Sequence, residues 1–388
     1  MKHSILLIFL YSIGTHAQII NITGPSGSGQ FGYSVTVLLN GNYVVTDPFY
    51  DDGPVSNVGA VYLYNGITHA VISTLKGSTA EDQVGGAYNG IITLTNGNFL
   101  VITPNWDNGT ATDAGAVTFV DGTSGLSGVI SSSNSLVGIS ANDKVGIVKV
   151  LYNGKYIVCS PKWDNGSAID AGAITWGNET VGVSGLVSSS NSLVGSSTGD
   201  NLGEGGITVL SNGNYVICSP EWDNGIINNA GAVTWSDRSS NITGAINNTN
   251  SLVGLTANDR IGEGGITVLN NGNYVVASPN WDNGIATDAG AVTWGNGTTG
   301  ITGIVNSNNS LIGTTTNNWV GFNGVTVLAN GNYVVISSRW DSGTVIDAGA
   351  VTWANEATGV TGEVNISNSL VGDQPNDRLG EGRVCLTR

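Results

Sequence analysis

Gly265-Ile266-Thr267-Val268-Leu269-Asn270-Asn271-Gly272-Asn273-Tyr274-Val275-Val276-Ala277-Ser278-Pro279-Asn280-Trp281-Asp282-Asn283-Gly284 carries the reading of the fold. Two short runs rich in β-branched residues flank Asn-Asn-Gly-Asn, a turn chemistry that accepts positive φ, so the segment reads as a hairpin. Pro279 ends its second strand because it cannot donate to a ladder. A loop to Asp288 leads into a third strand, 290–294, and Gly295-Asn296-Gly297 turns the chain again. A fourth, more polar strand is expected at about 300–306, with Asn-Ser-Leu-Ile-Gly carrying the chain onward. No window shows a 3.6-residue apolar period, and Gly, Asn, Thr and Val all disfavour helix.

The same text recurs along the chain. The loop Trp falls at Trp106, Trp163, Trp222, Trp281 and Trp340, in steps of 57, 59, 59 and 59 residues. Unit starts are marked by an apolar-Gly pair near 31, 84, 145, 202, 261, 320 and 379. Four antiparallel strands in a unit of fixed length describe a propeller blade, with buried inner strands and a polar outer edge. The expected fold is therefore all-β, a β-propeller over residues 18–388. Seven starts favour seven blades with the last one incomplete; six blades, and then a linear β-solenoid, are the alternatives.

Residues 1–17 read as a signal peptide: Lys2 and His3, an apolar run from Ile5 to Ile13, then Thr15-His16-Ala17. The run is shorter than the roughly 20 apolar residues that span a bilayer, so secretion or surface display is expected without membrane insertion. The full chain holds 28 acidic and 12 basic residues, a net charge of −16. Such a balance repels phosphate backbones, so nucleic acid is not expected as a partner. Of the 3 His, only His69 lies beyond the leader, which removes most histidine-dependent metal and nucleophile chemistry. Carboxylate chemistry is left. Cys159 and Cys218 occupy the same position in neighbouring repeats and read as small buried apolar residues.

Phe31-Gly32-Tyr33-Ser34-Val35, Asn42-Tyr43-Val44-Val45-Thr46-Asp47-Pro48 and Gly59-Ala60-Val61-Tyr62-Leu63-Tyr64 resemble the FG-GAP repeat of integrin α-subunit propellers. Thr46-Asp47-Pro48 stands where that repeat has Gly-Ala-Pro, and its Asp-x-Asp-x-Asp-Gly calcium loop has no match here. The later units, with Asn-Ser-Leu-Val-Gly, Asn-Gly-Asn-Tyr-Val-Val and Trp-Asp-Asn-Gly, are similar to an uncharacterised repeat family of large bacterial surface and adhesin-like proteins. Together the likenesses imply an extracellular propeller and bring no chemistry with them.

Three series of residues are candidate sites. Trp106, Trp163, Trp222, Trp281 and Trp340 could stack sugars, one per blade, or fill the wedge between blades. Asp107, Asp164, Asp223, Asp282 and Asp341, each six residues before a second Asp or Asn, could offer oxygens to calcium or simply cap turns. Asn21, Asn108, Asn165, Asn178, Asn241, Asn247, Asn296, Asn308 and Asn365 open Asn-x-Ser/Thr triplets that a secretory pathway could glycosylate. Asp82, Asp143, Asp200, Asp259 and Asp377 invite a catalytic reading, but their recurrence marks them as solvated turn residues. No cofactor is required. The function expected is a non-catalytic secreted or surface propeller that binds an extracellular protein or glycan. The alternatives are a carboxylate-dependent hydrolase at a central funnel and a purely structural module of a larger surface protein.

Overall fold

The computed structural model describes residues 4–9, 18–87, 89–151, 154–239 and 241–382, and among them there is no helix. The strand Ser4–Phe9 pairs antiparallel with Gln18–Thr23; the rest of the expected leader, and Cys385, lie outside the described residues. The chain divides into two compact units, Met1–Asp164 with Thr175–Ser188, and Asn165–Ile174 with Ser189–Arg388.

In the first unit, Val35–Val37, Tyr43–Asp47, Ala60–Tyr64 and Val71–Lys76 form an antiparallel meander, and Ile91–Thr93, Phe99–Thr103, Ala116–Val120 and Ser135–Val137 form a second. The hairpin of Ile147–Val150 with Lys155–Ser160 opens the third repeat, which is divided between the units. In the second unit, Ile207–Val209, Tyr215–Ser219, Ala232–Ser236 and Leu252–Val253 repeat the pattern. So do Ile266–Val268, Tyr274–Ser278, Ala291–Gly295 and Ser310–Ile312. Val325–Val327, Tyr333–Ser337, Ala350–Ala354 and Ser369–Val371 close the series. Each sheet has the strand order of a propeller blade, and six such repeats fit a six-bladed propeller.

The fourth strand differs from its expectation, and so does the strand count of most sheets. Residues 300–306 do not form the outer strand of their own sheet. Gly303–Ile304 instead runs parallel to Leu252–Val253 of the preceding repeat, and the expected connector supplies the true fourth strand, Ser310–Ile312. Gly128–Val129, Gly185–Leu186 and Gly362–Glu363 are lent backward in the same way, so these sheets have five strands. A two-residue strand has too little text to announce itself. Its partner lies about 50 residues upstream.

Packing explains which residues recur. Tyr215, Tyr274 and Tyr333, first in each second strand, are fully buried, as are Val216 and Ile217 beside Tyr215. Each such aliphatic contributes roughly 1.5–3 kcal/mol of transfer free energy. Thr234 and Ser251, and Thr293 and Ser310, are buried polar residues that face each other from the third strand and the start of the fourth, and their hydroxyls bond each other at 2.6 and 2.7 Å. That satisfies both without water.

Consecutive repeats of the second unit are also tied through one carbonyl. The Glu356 carbonyl accepts from Asn271 Nδ2 at 2.9 Å, Asn273 Nδ2 at 3.1 Å and Trp294 Nε1 at 3.0 Å. The Gly297 carbonyl serves Asn212, Asn214 and Trp235 likewise. A glycine three residues on lies flat against the same indole: a Cβ on Gly359, which has φ +69°, would sit 2.4 Å from Trp294 Cβ. The sixth sheet has four described strands, and its face is bare where others are covered. Leu370 is 69% exposed and Trp353 53%, whereas Leu252 and Leu311 are fully buried.

Candidate functional site

The loop indoles are packed, not displayed. Trp106, Trp163, Trp222, Trp281 and Trp340 are between 2% and 7% exposed, so none offers an open face for sugar stacking, and the stacking expectation gives way to core packing. Trp106, Trp281 and Trp340 each belong to a hydrophobic cluster of their own unit.

The loop aspartates hold turns. Asp107 Oδ1 accepts the Asp113 N–H at 2.8 Å, and Asp223, Asp282 and Asp341 do the same for Asn229, Asp288 and Asp347 at 2.7, 2.8 and 2.8 Å. The donating residues sit at φ between 50° and 53°, where Asp and Asn are the side chains that tolerate the strain. No group of three His, Cys, Asp or Glu that could hold a metal ion occurs among the described residues. Among the glycosylation triplets, Asn21, Asn178, Asn241, Asn247, Asn308 and Asn365 are exposed, while Asn108, Asn165 and Asn296 are half-buried. The Nδ2 atoms of Asn108 and Asn165 already donate to the Gly138 and Gly195 carbonyls at 2.8 Å, so a glycan on either would have to break that bond.

Of the five aspartates before a repeat start, only Asp377 is exposed as expected of a solvated turn residue; the structure corrects the other four. Asp82, Asp143, Asp200 and Asp259 are fully buried. Each gathers three backbone amides: Asp259 accepts from Leu255 and Thr256 at 2.9 and 2.8 Å and from Asp282 at 2.9 Å. Burial pushes the carboxyls of Asp143, Asp200 and Asp259 above the usual range, against the pull of these amides. The motif is a staple between a repeat's lead-in and its Trp loop. An acid–base pair facing solvent it is not.

What the carboxylates of the repeat pattern do not supply, a cleft of about 220 Å³ in the second unit does, lined by Asn201, Glu204, Gly205, Pro220, Glu221, Arg260 and Glu263. Its position follows from the hairpin. Ile207–Val209 and Tyr215–Ser219 run antiparallel, so Glu204, before the first, and Glu221, after the second, lie at the same end of the sheet. Asn201 and Arg260 hold φ of 43° and 45°, and each accepts, three residues on, the N–H of Glu204 or Glu263 at 3.0 Å. Gly205 must be glycine, because a Cβ there would stand 2.7 Å from the Cys218 carbonyl oxygen.

The three glutamates have unlike surroundings. Glu221 Oε2 accepts from Asn201 Nδ2 at 2.8 Å. Glu263 is paired with Arg260 at 3.2 Å and accepts from Asn280 Nδ2 at 2.8 Å. The Glu204 carboxylate has no hydrogen-bond or ion-pair partner among the described residues and is exposed. One carboxylate anchored by a cation, one aimed by an amide and one free of partners around a single cavity can divide proton transfer and charge stabilisation between them.

Residues 37–86, 93–147, 150–204, 209–263, 268–322 and 327–381 match a family described as Repeat of unknown function (DUF5650). The chain belongs to this family. The first DUF5650 match begins at residue 37, so it takes in Asn42–Pro48 and Gly59–Tyr64 but not Phe31–Val35, and the FG-GAP likeness is not shown. Comparison with curated proteins gives no match.

Among solved structures the chain is similar to the periplasmic gluconolactonase PpgL of Pseudomonas aeruginosa, at 11% identity over 96% of this chain and 97% of that one, with a TM-score of 0.33. It is also similar to an alpha-L-arabinanase of Penicillium chrysogenum complexed with arabinobiose, at 14% identity over 84% and 93%, TM-score 0.28. A third is the endo-1,5-alpha-L-arabinanase of Thermotoga petrophila RKU-1, at 12% identity over 84% and 75%, TM-score 0.25. All three are enzymes. The expectation of a chain that catalyses nothing runs against these likenesses.

Within the DUF5650 repeats, the cleft residues were missed in the sequence because they vary from copy to copy. Glu204 and Glu263 share a register position with Phe322 and Glu381, and Glu221 shares one with Lys162, Asn280 and Arg339. The available signal was that variation, set inside an otherwise constant frame.

Proposed function

We propose that this chain is a carboxylate-dependent hydrolase of glycosides, with its reacting groups in the cleft of Glu204, Glu221 and Glu263. The observation that carries the reading is the presence of three carboxyl groups in three different environments around one cavity. Glycoside hydrolysis needs one carboxyl to protonate the leaving oxygen and another to activate water or attack the sugar carbon. Glu204, with no bond to break first, exchanges the proton; Glu221, oriented by Asn201, faces the sugar carbon or its water. Glu263, held by Arg260 and Asn280, supplies fixed negative charge beside a developing oxocarbenium ion.

The test is release of reducing sugar from a panel of α- and β-linked oligosaccharides by the purified chain, beside Glu204→Gln and Glu221→Gln. Each variant is expected to lose at least 100-fold in kcat while keeping its thermal midpoint, in line with the 10²–10⁴ usual for general acid–base groups. Absence of turnover on every substrate, or full activity in Glu204→Gln, would refute the proposal.

A binding role for the same unit has its own support. Ile226 is 98% exposed and Ile285 fully so, both at the tip of the loop after Trp-Asp-Asn-Gly in consecutive repeats, a regular apolar display of the kind that contacts a partner. The partner class proposed is an extracellular protein or a glycan-bearing surface, with residues 1–17 supporting export. Pull-down of surface proteins that survives Ile226→Asp with Ile285→Asp would count against that contact.

A further inference from the structure

The sixth repeat departs from its siblings at six positions that fall together. Asn318 stands where Asp82, Asp143, Asp200 and Asp259 do, and Trp319 where the others have Gln83, Lys144, Asn201 or Arg260. Phe322-Asn323 stands where the fourth and fifth repeats have Glu-Gly, and Ser338-Arg339 stands where the preceding repeats have Pro followed by Phe49, Asn105, Lys162, Glu221 or Asn280. The turn itself is kept: Trp319 has φ 46°, and the Phe322 N–H reaches the Trp319 carbonyl at 2.9 Å. The lead-in and the end of the second strand meet at one end of the sheet, as they do around Glu204 and Glu221, so the new side chains form one cluster.

The Trp319 and Phe322 rings lie 5.1 Å apart at 37°, and the Arg339 guanidinium sits over both, Cζ 4.3 Å from the first centroid and 5.1 Å from the second. A stacked guanidinium is fixed in its plane while its N–H edge stays free. Arg339 makes no hydrogen bond or ion pair among the described residues, in a chain with 28 acidic side chains. Phe322 beside it is 48% exposed. Ser338 is anchored through its N–H and Oγ to Asn323 Oδ1 at 3.3 and 2.5 Å, which fixes the backbone that carries Arg339.

We infer that the Trp319–Phe322–Arg339 cluster is a binding site for a saccharide bearing a carboxylate, a uronate residue. The guanidinium edge takes the carboxylate in a bidentate pair, and the exposed ring of Phe322 takes the apolar face of the sugar. A bare anion leaves the ring unused, and a neutral sugar leaves the guanidinium unmatched. The site stands independently of hydrolysis at the glutamate cleft, because it is read by binding alone.

Titration of the whole chain with galacturonate, galactose and acetate, followed by ligand-observed NMR, decides it. Galacturonate is expected to bind at least 10-fold more tightly than either of the others. Arg339→Gln should abolish that advantage, Arg339→Lys should lose most of it, and Phe322→Ala should weaken galacturonate and galactose together. Asn306→Ser, at an exposed turn outside both the glutamate cleft and this cluster, should bind galacturonate as the parent does, whether or not the hydrolase reading holds. Equal binding of acetate and galacturonate, equal binding of galactose and galacturonate, or unchanged affinity in Arg339→Gln would each overturn the assignment.

Discussion

The carboxylate of Asp259 accepts the backbone N–H of Asp282 at 2.9 Å across 23 residues, and this one bond joins a repeat's lead-in to its Trp loop. Asp82 with Asp107, Asp143 with Asp164 and Asp200 with Asp223 make the same bond at 3.0, 3.0 and 2.9 Å. The sixth repeat has Asn318 instead: its Oδ1 accepts from Thr314 and Thr315 N–H at 3.3 and 3.1 Å, and its buried Nδ2 has no partner. An amide nitrogen cannot accept from the Asp341 N–H, so that staple is missing.

Removing a staple should therefore be costly and restoring one should help. Asp259→Ala leaves three amides without their acceptor, and a loss of about 2–4 kcal/mol in urea unfolding is expected. Asn318→Asp is expected to gain about 1 kcal/mol, by giving the Asp341 N–H an acceptor. A neutral or destabilising Asn318→Asp would show that the sixth loop has found another arrangement.

The three-donor carbonyl of Glu356 predicts coupling between residues far apart in sequence. Trp294→Phe keeps a smaller aromatic ring and loses the indole N–H, for at least about 1 kcal/mol; Asn273→Ala loses one amide donor for about 1 kcal/mol. Because both compete for one oxygen, each single loss is partly made good by the donor that remains, and the double variant is expected to cost more than the sum of the two. Strict additivity in a double-mutant cycle would deny the shared acceptor.

Gly300, at φ +73°, lies against Trp235, and a Cβ placed there would be 2.8 Å from the Trp235 Cβ. Gly300→Ala thus adds strain from the backbone and a clash with a side chain at once. At least about 2 kcal/mol of destabilisation is expected, against less than about 0.5 kcal/mol for an exposed polar substitution such as Asn306→Ser. Chemical denaturation of the two variants side by side makes the comparison.

Cys159 and Cys218 are 5% and 3% exposed, and burial pushes both thiols up to about 12. Thiolate is the reactive form, so alkylation of either in the native protein at pH 8 should be at least 100-fold slower than in denaturant. Peptide mapping after iodoacetamide treatment reads the two sites separately. Rapid native labelling of either would mean that its repeat opens locally.

Alkaline pH should loosen the first repeat. Burial, with Tyr64 adding to it, pushes the Tyr43 hydroxyl up to about 12; burial does the same for Tyr64, and the two rings stack at 5.3 Å. The folded values lie above the unfolded value of about 10, so the folded state holds more protons between them. The stability these tyrosines contribute is complete below pH 10 and is lost as pH rises through 12. Tyrosinate absorbance and circular dichroism followed together should change in step above pH 10; full ionisation with intact dichroism would contradict this.

The parts of the fold legible in the sequence were those set by local chemistry. Asn270-Asn271-Gly272-Asn273 between two β-branched runs specifies a hairpin wherever it occurs, and Pro279 ends a strand by lacking a donor, so the first three strands of each repeat were read from the text. Thr293 and Ser310 were not seen as partners, nor Gly303 as a neighbour of Leu252, because pairing between distant segments leaves no trace within either.

The candidate site was less legible, for a related reason. Trp281 recurs in every repeat from the second to the sixth, and Asp259 in all of them but the sixth, where Asn318 stands; that recurrence is written in the amino-acid order. Only the tertiary structure decided that Trp281 faces the core and that Asp259 is sealed from water, since exposure depends on what the rest of the unit places around a residue. Likewise Glu204, Glu221 and Glu263 are three separate letters along the chain. The antiparallel hairpin and the step from one repeat to the next bring them around one cavity.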